Sequence, residues 1–182
     1  MKPFIVPTRA EVSENNQLIF DSIKEKMGFV PNLFAYMSKN EKALSDYLPF
    51  ESRKSTLRGK EKELINLVVS QINGCRYCQS AHTAAGKMFG FSDEQIIEIR
   101  KGSASFDPKM DALAKFTVSV ARNRGVASET SKIAFFGVGY TEENMIDVVM
   151  RIGVMTINTY LHQLADFSID FPLAPEISTE LV

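Results

Sequence analysis

Residues 60–90 read KEKELINLVVSQINGCRYCQSAHTAAGKMFG, and this stretch predicts two helices joined by a tight turn. Residues 60–72 are apolar on most sides after a charged first turn, which is typical of a buried helix whose start lies in solvent. Asn73-Gly74 is a strong helix breaker. A second helix is therefore predicted to begin at the cysteines and to run to about Phe89, with Gly90 ending it.

Apolar spacing and capping residues predict helices on both sides of this pair as well. Their predicted limits are residues 16–27, 93–100, 107–125, 128–136 and 141–167, with a further apolar piece starting at residue 33. Pro49 is predicted to mark an element boundary, because the residue before a proline disfavours helix. No segment shows sustained period-two alternation between hairpin turns, so the predicted fold is all-α.

The composition fits one globular domain without a polyanionic partner. The 182 residues include 21 Lys and Arg against 22 Asp and Glu, and 45% of them are apolar. The net charge of −1 disfavours nucleic-acid binding, which needs a basic face. We predict a single domain over residues 1–182, with an N-terminal helical segment at 1–60, a core at 61–167 and an extended tail at 168–182 that lies on this subunit or a neighbour.

Neither export nor membrane insertion is predicted. The N-terminal apolar stretch contains Pro3 and Pro7 and is too short for the core of a signal peptide. The most apolar segment, residues 145–157, is interrupted by Asp147 and Arg151 and is shorter than the roughly 20 residues that a bilayer requires. We therefore expect a cytoplasmic protein with no membrane partner.

The scarcest residues of the chain lie within eight positions. Both cysteines, Cys75 and Cys78, and one of only two histidines, His82, are spaced three and four apart. On one helix this spacing places the three side chains on the same face. Because the cysteines lie where that helix is predicted to begin, its dipole and free backbone N–H groups are expected to lower a thiol pKa.

Glu63 is predicted to face His82. If the chain reverses at about residue 73, Glu63 lies ten residues before the bend and His82 nine residues after it, at nearly matched depth on antiparallel helices. A carboxylate there would orient the imidazole and raise its basicity, so that the ring could take a proton from a cysteine thiol. An unbroken helix would instead separate Glu63 and Cys75 by about 18 Å.

The residues alone leave other uses of this cluster open. Cys75, Cys78 and His82 could be three ligands of a zinc ion, with the fourth from Glu63 or from another subunit. The cysteines could also be small buried apolar residues of a core helix. Redox chemistry at two thiols three residues apart is the interpretation that we favour. The second histidine, His162, is predicted to be structural.

The pattern resembles the active-site signature of the alkylhydroperoxidase D (AhpD)-like, carboxymuconolactone decarboxylase superfamily, and most of all its peroxidase-related branch. The motif comprises Glu63, eleven residues, Cys75, two residues, Cys78, three residues and His82, with Ser70 and Asn73-Gly74 beside it. The resemblance implies an AhpD-like helical bundle in which the CxxC helix packs against the preceding, Glu-bearing helix. It also implies homo-oligomers, either trimers or hexamers.

By the same resemblance the protein would be a thiol-dependent peroxidase without a metal or an organic cofactor. Cys78 would attack hydrogen peroxide or an organic peroxide, Cys75 would resolve the sulfenic acid to a disulfide, and Glu63 and His82 would relay protons. An external dithiol or a lipoyl-bearing protein would be the reductant.

One position departs from the family pattern. Some members have a second histidine immediately before the second cysteine, where this chain has Tyr77. A phenol is a poor base at neutral pH, since its reference pKa is about 10. Two other functions therefore stay open: a redox-sensing or interaction protein that uses the same cysteines, and an enzyme of the carboxymuconolactone decarboxylase type.

Overall fold

The computed structural model describes residues 4–177, and nine α-helices account for most of this part of the chain. They are α1 (Glu14–Met27), α2 (Asn32–Met37), α3 (Ala43–Glu51), α4 (Gly59–Ile72), α5 (Arg76–Met88), α6 (Asp93–Arg100), α7 (Pro108–Arg122), α8 (Glu129–Gly137) and α9 (Glu142–Ala165), preceded by a short 3-10 helix at Arg9–Glu11. Residues 4–177 contain no strand, so the all-α prediction is confirmed.

The described chain divides into two compact units. The first comprises the residues up to Lys54 together with Tyr160–Asp170, and the second comprises Ser55–Thr159 together with the tail from Phe171. Neither limit coincides with the predicted divisions after residues 60 and 167. Whether the chain behaves as a single domain stays a prediction.

In the first unit, polar groups close the ends of the helices. Ser13 caps α1 by accepting the backbone N–H of Asn16, and Gly28 ends that helix with a φ of 85°, a conformation that glycine adopts without strain. At the start of α2, the backbone N–H of Asn32 donates to the Asp170 carboxylate over 2.7 Å. The core of this unit includes Phe20, Ile23, Leu33 and Leu44.

The boundary predicted at Pro49 is wrong. Pro49 lies inside α3, in the last turn before the helix ends at Glu51. A proline within a helix removes the hydrogen bond to the carbonyl four residues earlier, here that of Ser45, but the backbone N–H of Ser52 still donates to Leu48. The helix tolerates the proline because so little of it follows.

In the second unit, α4 is the central helix because almost every side of it is apolar. It packs against α5, α6 and α7, and its fully buried side chains include Leu64, Ile65, Leu67 and Val68. In the turn that follows, Gly74 has a φ of 65°, and Cys75 donates its backbone N–H to the carbonyl of Ser70 over 3.1 Å. This turn sends α5 back along α4, as the sequence predicts.

Several helix limits differ by a few residues from those predicted. The cysteine-bearing helix begins at Arg76, so Cys75 is its N-cap and only Cys78 lies in its first turn. Helix α7 ends at Arg122, three residues before Gly125, and α9 ends at Ala165. The hairpin of α4 and α5 that positions the candidate site is unaffected by these shifts.

Across residues 4–177, no helix has both the length and the apolar character needed to cross a membrane.

Candidate functional site

The hairpin of α4 and α5 brings Glu63 against His82. The Glu63 Oε1 atom lies 2.7 Å from His82 Nδ1, so the contact predicted from the register of the two helices is confirmed. The side chain of Glu63 is 6% exposed and that of His82 is 17% exposed. The carboxylate is thus inside the protein, while the imidazole lies at the edge of solvent.

This contact defines which nitrogen of His82 is available for chemistry. A carboxylate accepts a hydrogen bond, so the proton of the neutral imidazole belongs on Nδ1. The lone pair then lies on Nε2, and the adjacent carboxylate stabilises the imidazolium that forms when Nε2 takes a proton. His82 is therefore arranged as a base whose orientation Glu63 fixes.

The two thiols are buried and in contact with each other. The Sγ atoms of Cys75 and Cys78 lie 2.8 Å apart, and the two side chains are thiols that are not joined in a disulfide. Cys75, at the N-cap of α5, accepts the backbone N–H of Cys78 over 3.3 Å. Their exposed fractions are 1% and 2%. The pair is therefore placed for disulfide formation with little backbone movement.

The expected fall of a thiol pKa at the helix start is not found for Cys78. Its hydrogen bond with Cys75 raises the pKa of the Cys78 thiol well above the usual range, and burial raises it further. The backbone N–H groups of the helix start act in the opposite direction but are outweighed. The contact with Cys75 and, second, burial, neither of which the sequence revealed, reverse the prediction for this cysteine. Deprotonation of Cys78 therefore requires a base.

Sequence reasoning missed two residues behind the relay, Asn66 and Arg151. Asn66 Nδ2 donates to Glu63 Oε2 over 2.9 Å, and Arg151 Nε of α9 donates to Asn66 Oδ1 over 2.6 Å. Asn66 lies three residues after Glu63, so it shares a helix face with it, and a polar residue in an apolar run was a usable signal. The contact with Arg151, 85 positions away, depends on tertiary packing.

The C-terminal tail lies on the helix that carries the cysteines. Phe171 packs edge-on against Tyr77, with ring centroids 5.6 Å apart. The backbone N–H of Ala174 donates to Ser80 Oγ over 3.1 Å, and its carbonyl accepts from Arg76 over 3.0 Å. This part of the predicted tail therefore lies on its own subunit, whereas residues 178–182 fall outside the described residues. Tyr77, immediately before the second cysteine, therefore contributes packing against the tail.

A guanidinium is buried beside the same tail. Arg100 donates to Gln71 Oε1 over 2.9 Å and to the carbonyl of Pro175 over 2.9 Å, and it is 1% exposed. Burial and, to a smaller extent, the nearby charge of Arg76 together lower its pKa to about 10. Two arginines of the second unit thus hold backbone carbonyls of the tail.

Among residues 4–177, no group of three or more His, Cys, Asp or Glu side chains is arranged to hold a metal ion.

Comparison with known proteins links this site to a family. Residues 40–117, which include the whole motif, match the carboxymuconolactone decarboxylase family. No curated protein sequence matches the chain significantly.

Solved structures share the fold over nearly the whole chain. A structure described as an AhpD core, an uncharacterized peroxidase-related protein from Ralstonia eutropha JMP134, is 19% identical with a TM-score of 0.82, and the match covers 93% of this chain and 94% of that one. A peroxidase-related protein from Silicibacter sp. TM1040 is 20% identical with a TM-score of 0.78, covering 92% and 94%.

A third similar structure has a different described activity. The debrominase Bmp8, in complex with 2,3,4-tribromopyrrole, is 15% identical with a TM-score of 0.76, covering 93% of this chain and 92% of that one. Identities this low bear on the fold alone. Residues 40–117 of this chain thus match the carboxymuconolactone decarboxylase family, and the fold of nearly the whole chain is AhpD-like.

Proposed function

We propose that this protein is a thiol-dependent peroxidase that reduces hydrogen peroxide or organic hydroperoxides. The observation that carries the proposal is the pair of contacts in one helical hairpin: two thiols 2.8 Å apart and a histidine 2.7 Å from a buried carboxylate. A disulfide cycle needs the first contact, and proton transfer to and from sulfur and oxygen needs the second.

In the proposed cycle, the Cys78 thiolate attacks one oxygen of the hydroperoxide, and the O–O bond breaks. The leaving oxygen takes a proton and departs as an alcohol, or as water from hydrogen peroxide. The Cys78 sulfenic acid then condenses with the Cys75 thiol, so that an S–S bond forms, the S–O bond breaks and water leaves. An external dithiol reduces the disulfide through a mixed disulfide. In sum, one hydroperoxide and one dithiol give an alcohol, water and an external disulfide.

His82 is the base in this scheme because Cys78 does not ionise readily. The raised pKa of Cys78 means that its thiol needs an acceptor for the proton. His82 lies four residues later on α5 and therefore on the same helix face. With Nδ1 bound to Glu63, Nε2 takes the thiol proton, and the imidazolium returns it to the leaving oxygen.

Three further features of the proposal rest on the resemblance to the family and stay predictions. They are reduction by an external dithiol or a lipoyl-bearing protein, assembly into trimers or hexamers, and a cytoplasmic location. The proposed cycle uses sulfur, oxygen and protons alone, so no metal or organic cofactor takes part in it.

Peroxide consumption by cysteine variants tests the proposal. Wild-type protein with dithiothreitol is expected to consume cumene hydroperoxide catalytically, while Cys78→Ser loses the activity. In the absence of a dithiol, Cys75→Ser is expected to react once with the hydroperoxide and to hold a sulfenic acid at Cys78, visible as a mass increment. Because the chain has only two cysteines, no third thiol can substitute for either of them. Equal rates for wild type and Cys78→Ser would contradict the proposal.

The same experiment separates the other functions. A redox sensor would show negligible turnover together with a large change in oligomeric mass or partner binding after peroxide treatment. A decarboxylase of the carboxymuconolactone type would act on its lactone acid without needing the cysteines, so Cys78→Ser would keep that activity.

A further inference from the structure

A chain of three hydrogen bonds runs from helix α9 to His82. Arg151 Nε donates to Asn66 Oδ1 over 2.6 Å, and Asn66 Nδ2 donates to Glu63 Oε2 over 2.9 Å. The other carboxylate oxygen of Glu63 accepts from His82 Nδ1 over 2.7 Å. Asn66 and Glu63 are 1% and 4% exposed, so bulk water does not compete for these bonds.

The chemistry of the two ends fixes the orientation of the Asn66 amide. A guanidinium only donates hydrogen bonds, and a carboxylate only accepts them. If the amide were reversed, its NH2 group would face the guanidinium of Arg151 and its oxygen would face the carboxylate of Glu63, so both bonds would be lost. Such losses inside a protein leave polar groups unpaired and are costly. Arg151 therefore sets the orientation of Asn66, which in turn holds one oxygen of Glu63.

From this chain we infer that Asn66 and Arg151 are positioning residues for the relay. They hold the carboxylate of Glu63 in the orientation that accepts from His82 Nδ1, and they thereby keep the neutral imidazole in the tautomer whose Nε2 is free to act as a base. Neither residue touches a thiol in this scheme; both act through Glu63. The motif of glutamate, cysteines and histidine is on this account extended by one residue of α4 and one of α9.

The inference rests on the proposed function only for its kinetic readout. The tautomer of His82 is a property of the resting protein, and ¹⁵N NMR of the histidine ring nitrogens reports it directly. The chain has two histidines, so the signals of His82 are assigned with His162→Gln. In the wild type we expect Nδ1 to carry the proton of the neutral ring and Nε2 to carry none.

Two variants and a rescue test the positioning role. Asn66→Leu keeps the size of the side chain and removes both hydrogen bonds, so we expect mixed His82 tautomers and about tenfold lower kcat/KM, the effect of one net hydrogen bond. Arg151→Met, which leaves Asn66 without its anchor, is expected to shift both quantities in the same direction. Arg151→Lys restores a cationic donor and is expected to recover the wild-type tautomer and most of the rate.

The matched control is Arg122→Met, which removes an exposed arginine from the end of α7 and should change neither quantity. An unchanged His82 tautomer in Arg151→Met overturns the inference whatever the kinetics show, and so does a failure of Arg151→Lys to recover it. If Asn66→Leu does not fold, the two Arg151 variants decide alone. The expected tautomers in a wild type that consumes no peroxide would contradict the proposed function and support this inference.

Discussion

The two histidines of this chain differ in what holds their rings. His82 Nδ1 contacts the Glu63 carboxylate at 2.7 Å, whereas His162 Nε2 contacts the backbone carbonyl of Phe167 at 3.0 Å, and its ring lies edge-on to that of Phe167. Both side chains are largely enclosed. A carboxylate stabilises an imidazolium, but a neutral carbonyl supplies no such charge. The partner of the ring, rather than its burial, suits His82 to proton transfer and His162 to packing.

Replacing each histidine in turn is the strongest test of this division of roles. We expect His82→Gln to lower kcat/KM for a hydroperoxide by about 10²–10⁴-fold, the range for loss of a positioned general base. His162→Gln is expected to leave the rate within about twofold, because its ring contacts the backbone of its own segment. Initial rates at saturating dithiol measure both.

In thermal unfolding we expect the two variants to rank in the opposite order, with His162→Gln less stable than His82→Gln. His162→Gln disturbs a buried hydrogen bond and a ring contact, a loss of about 1–3 kcal/mol in the free energy of unfolding. His82→Gln should change the unfolding temperature less. A rate loss in His162→Gln as large as that in His82→Gln would show that the two histidines do not divide the roles in this way.

Glu63→Gln makes the partner of His82 neutral and thus similar to the partner of His162. The amide oxygen can still accept from Nδ1, but it provides no charge to stabilise an imidazolium. We expect kcat/KM to fall by about 10–100-fold with the fold retained, the range typical of groups that orient a functional histidine.

Glu129→Gln, at the exposed start of α8, is the control for this variant. Glu61→Gln, although on the same helix as Glu63, is unsuitable because Glu61 caps the start of α4. Wild-type activity in Glu63→Gln would show that charge at this position is unnecessary.

The sequence predicted the contact between Glu63 and His82 because its geometry is local. The antiparallel register of α4 and α5 depends on one turn at Asn73-Gly74, and counting from that turn was enough to pair Glu63 with His82. The helical spacing of Cys75 and Cys78 likewise depends on one helix. Such predictions need only the helix period and the position of a breaker.

The predictions that failed depended on how much protein surrounds a residue. The pKa of Cys78 is raised because its thiol contacts that of Cys75 and because the residue is only 2% exposed, whereas the sequence showed only that it lies near the start of a helix. The sequence shows Arg151 as a charged residue that interrupts an apolar segment. Its contact with Asn66 depends on the tertiary structure, which brings a residue of α9 to a residue of α4. At Pro49 it was a local rule that failed: the expectation that a helix ends before a proline does not hold, because Pro49 lies in the last turn of α3.

The ionisation of the Cys78 thiol can also be tested through the pH dependence of the free energy of unfolding. The raised pKa of Cys78 means that the folded protein prefers the neutral thiol, so this stabilisation is complete below the unfolded pKa of about 8.5 and is lost as the pH rises above it. Between about pH 8.5 and 10 we expect the free energy of unfolding of the reduced protein to fall by up to about 1.4 kcal/mol per pH unit.

Chemical denaturation in the presence of a phosphine reductant measures this fall, and Cys78→Ser is the control in which it should be smaller. Tyr140, whose pKa is also raised by burial and by Glu61, adds to the fall as the pH approaches its unfolded value of about 10, but both proteins contain Tyr140, so its contribution cancels in the comparison. The ring of His162 contacts the carbonyl of Phe167, so replacing it should not affect the ionisation of Cys78. We therefore expect His162→Gln to keep the pH dependence of the wild type, even though its free energy of unfolding is lower at every pH. A slope that is the same in wild type and Cys78→Ser would mean that the thiol ionises as easily in the folded protein as in the unfolded chain, and the need for His82 as its base would disappear with it.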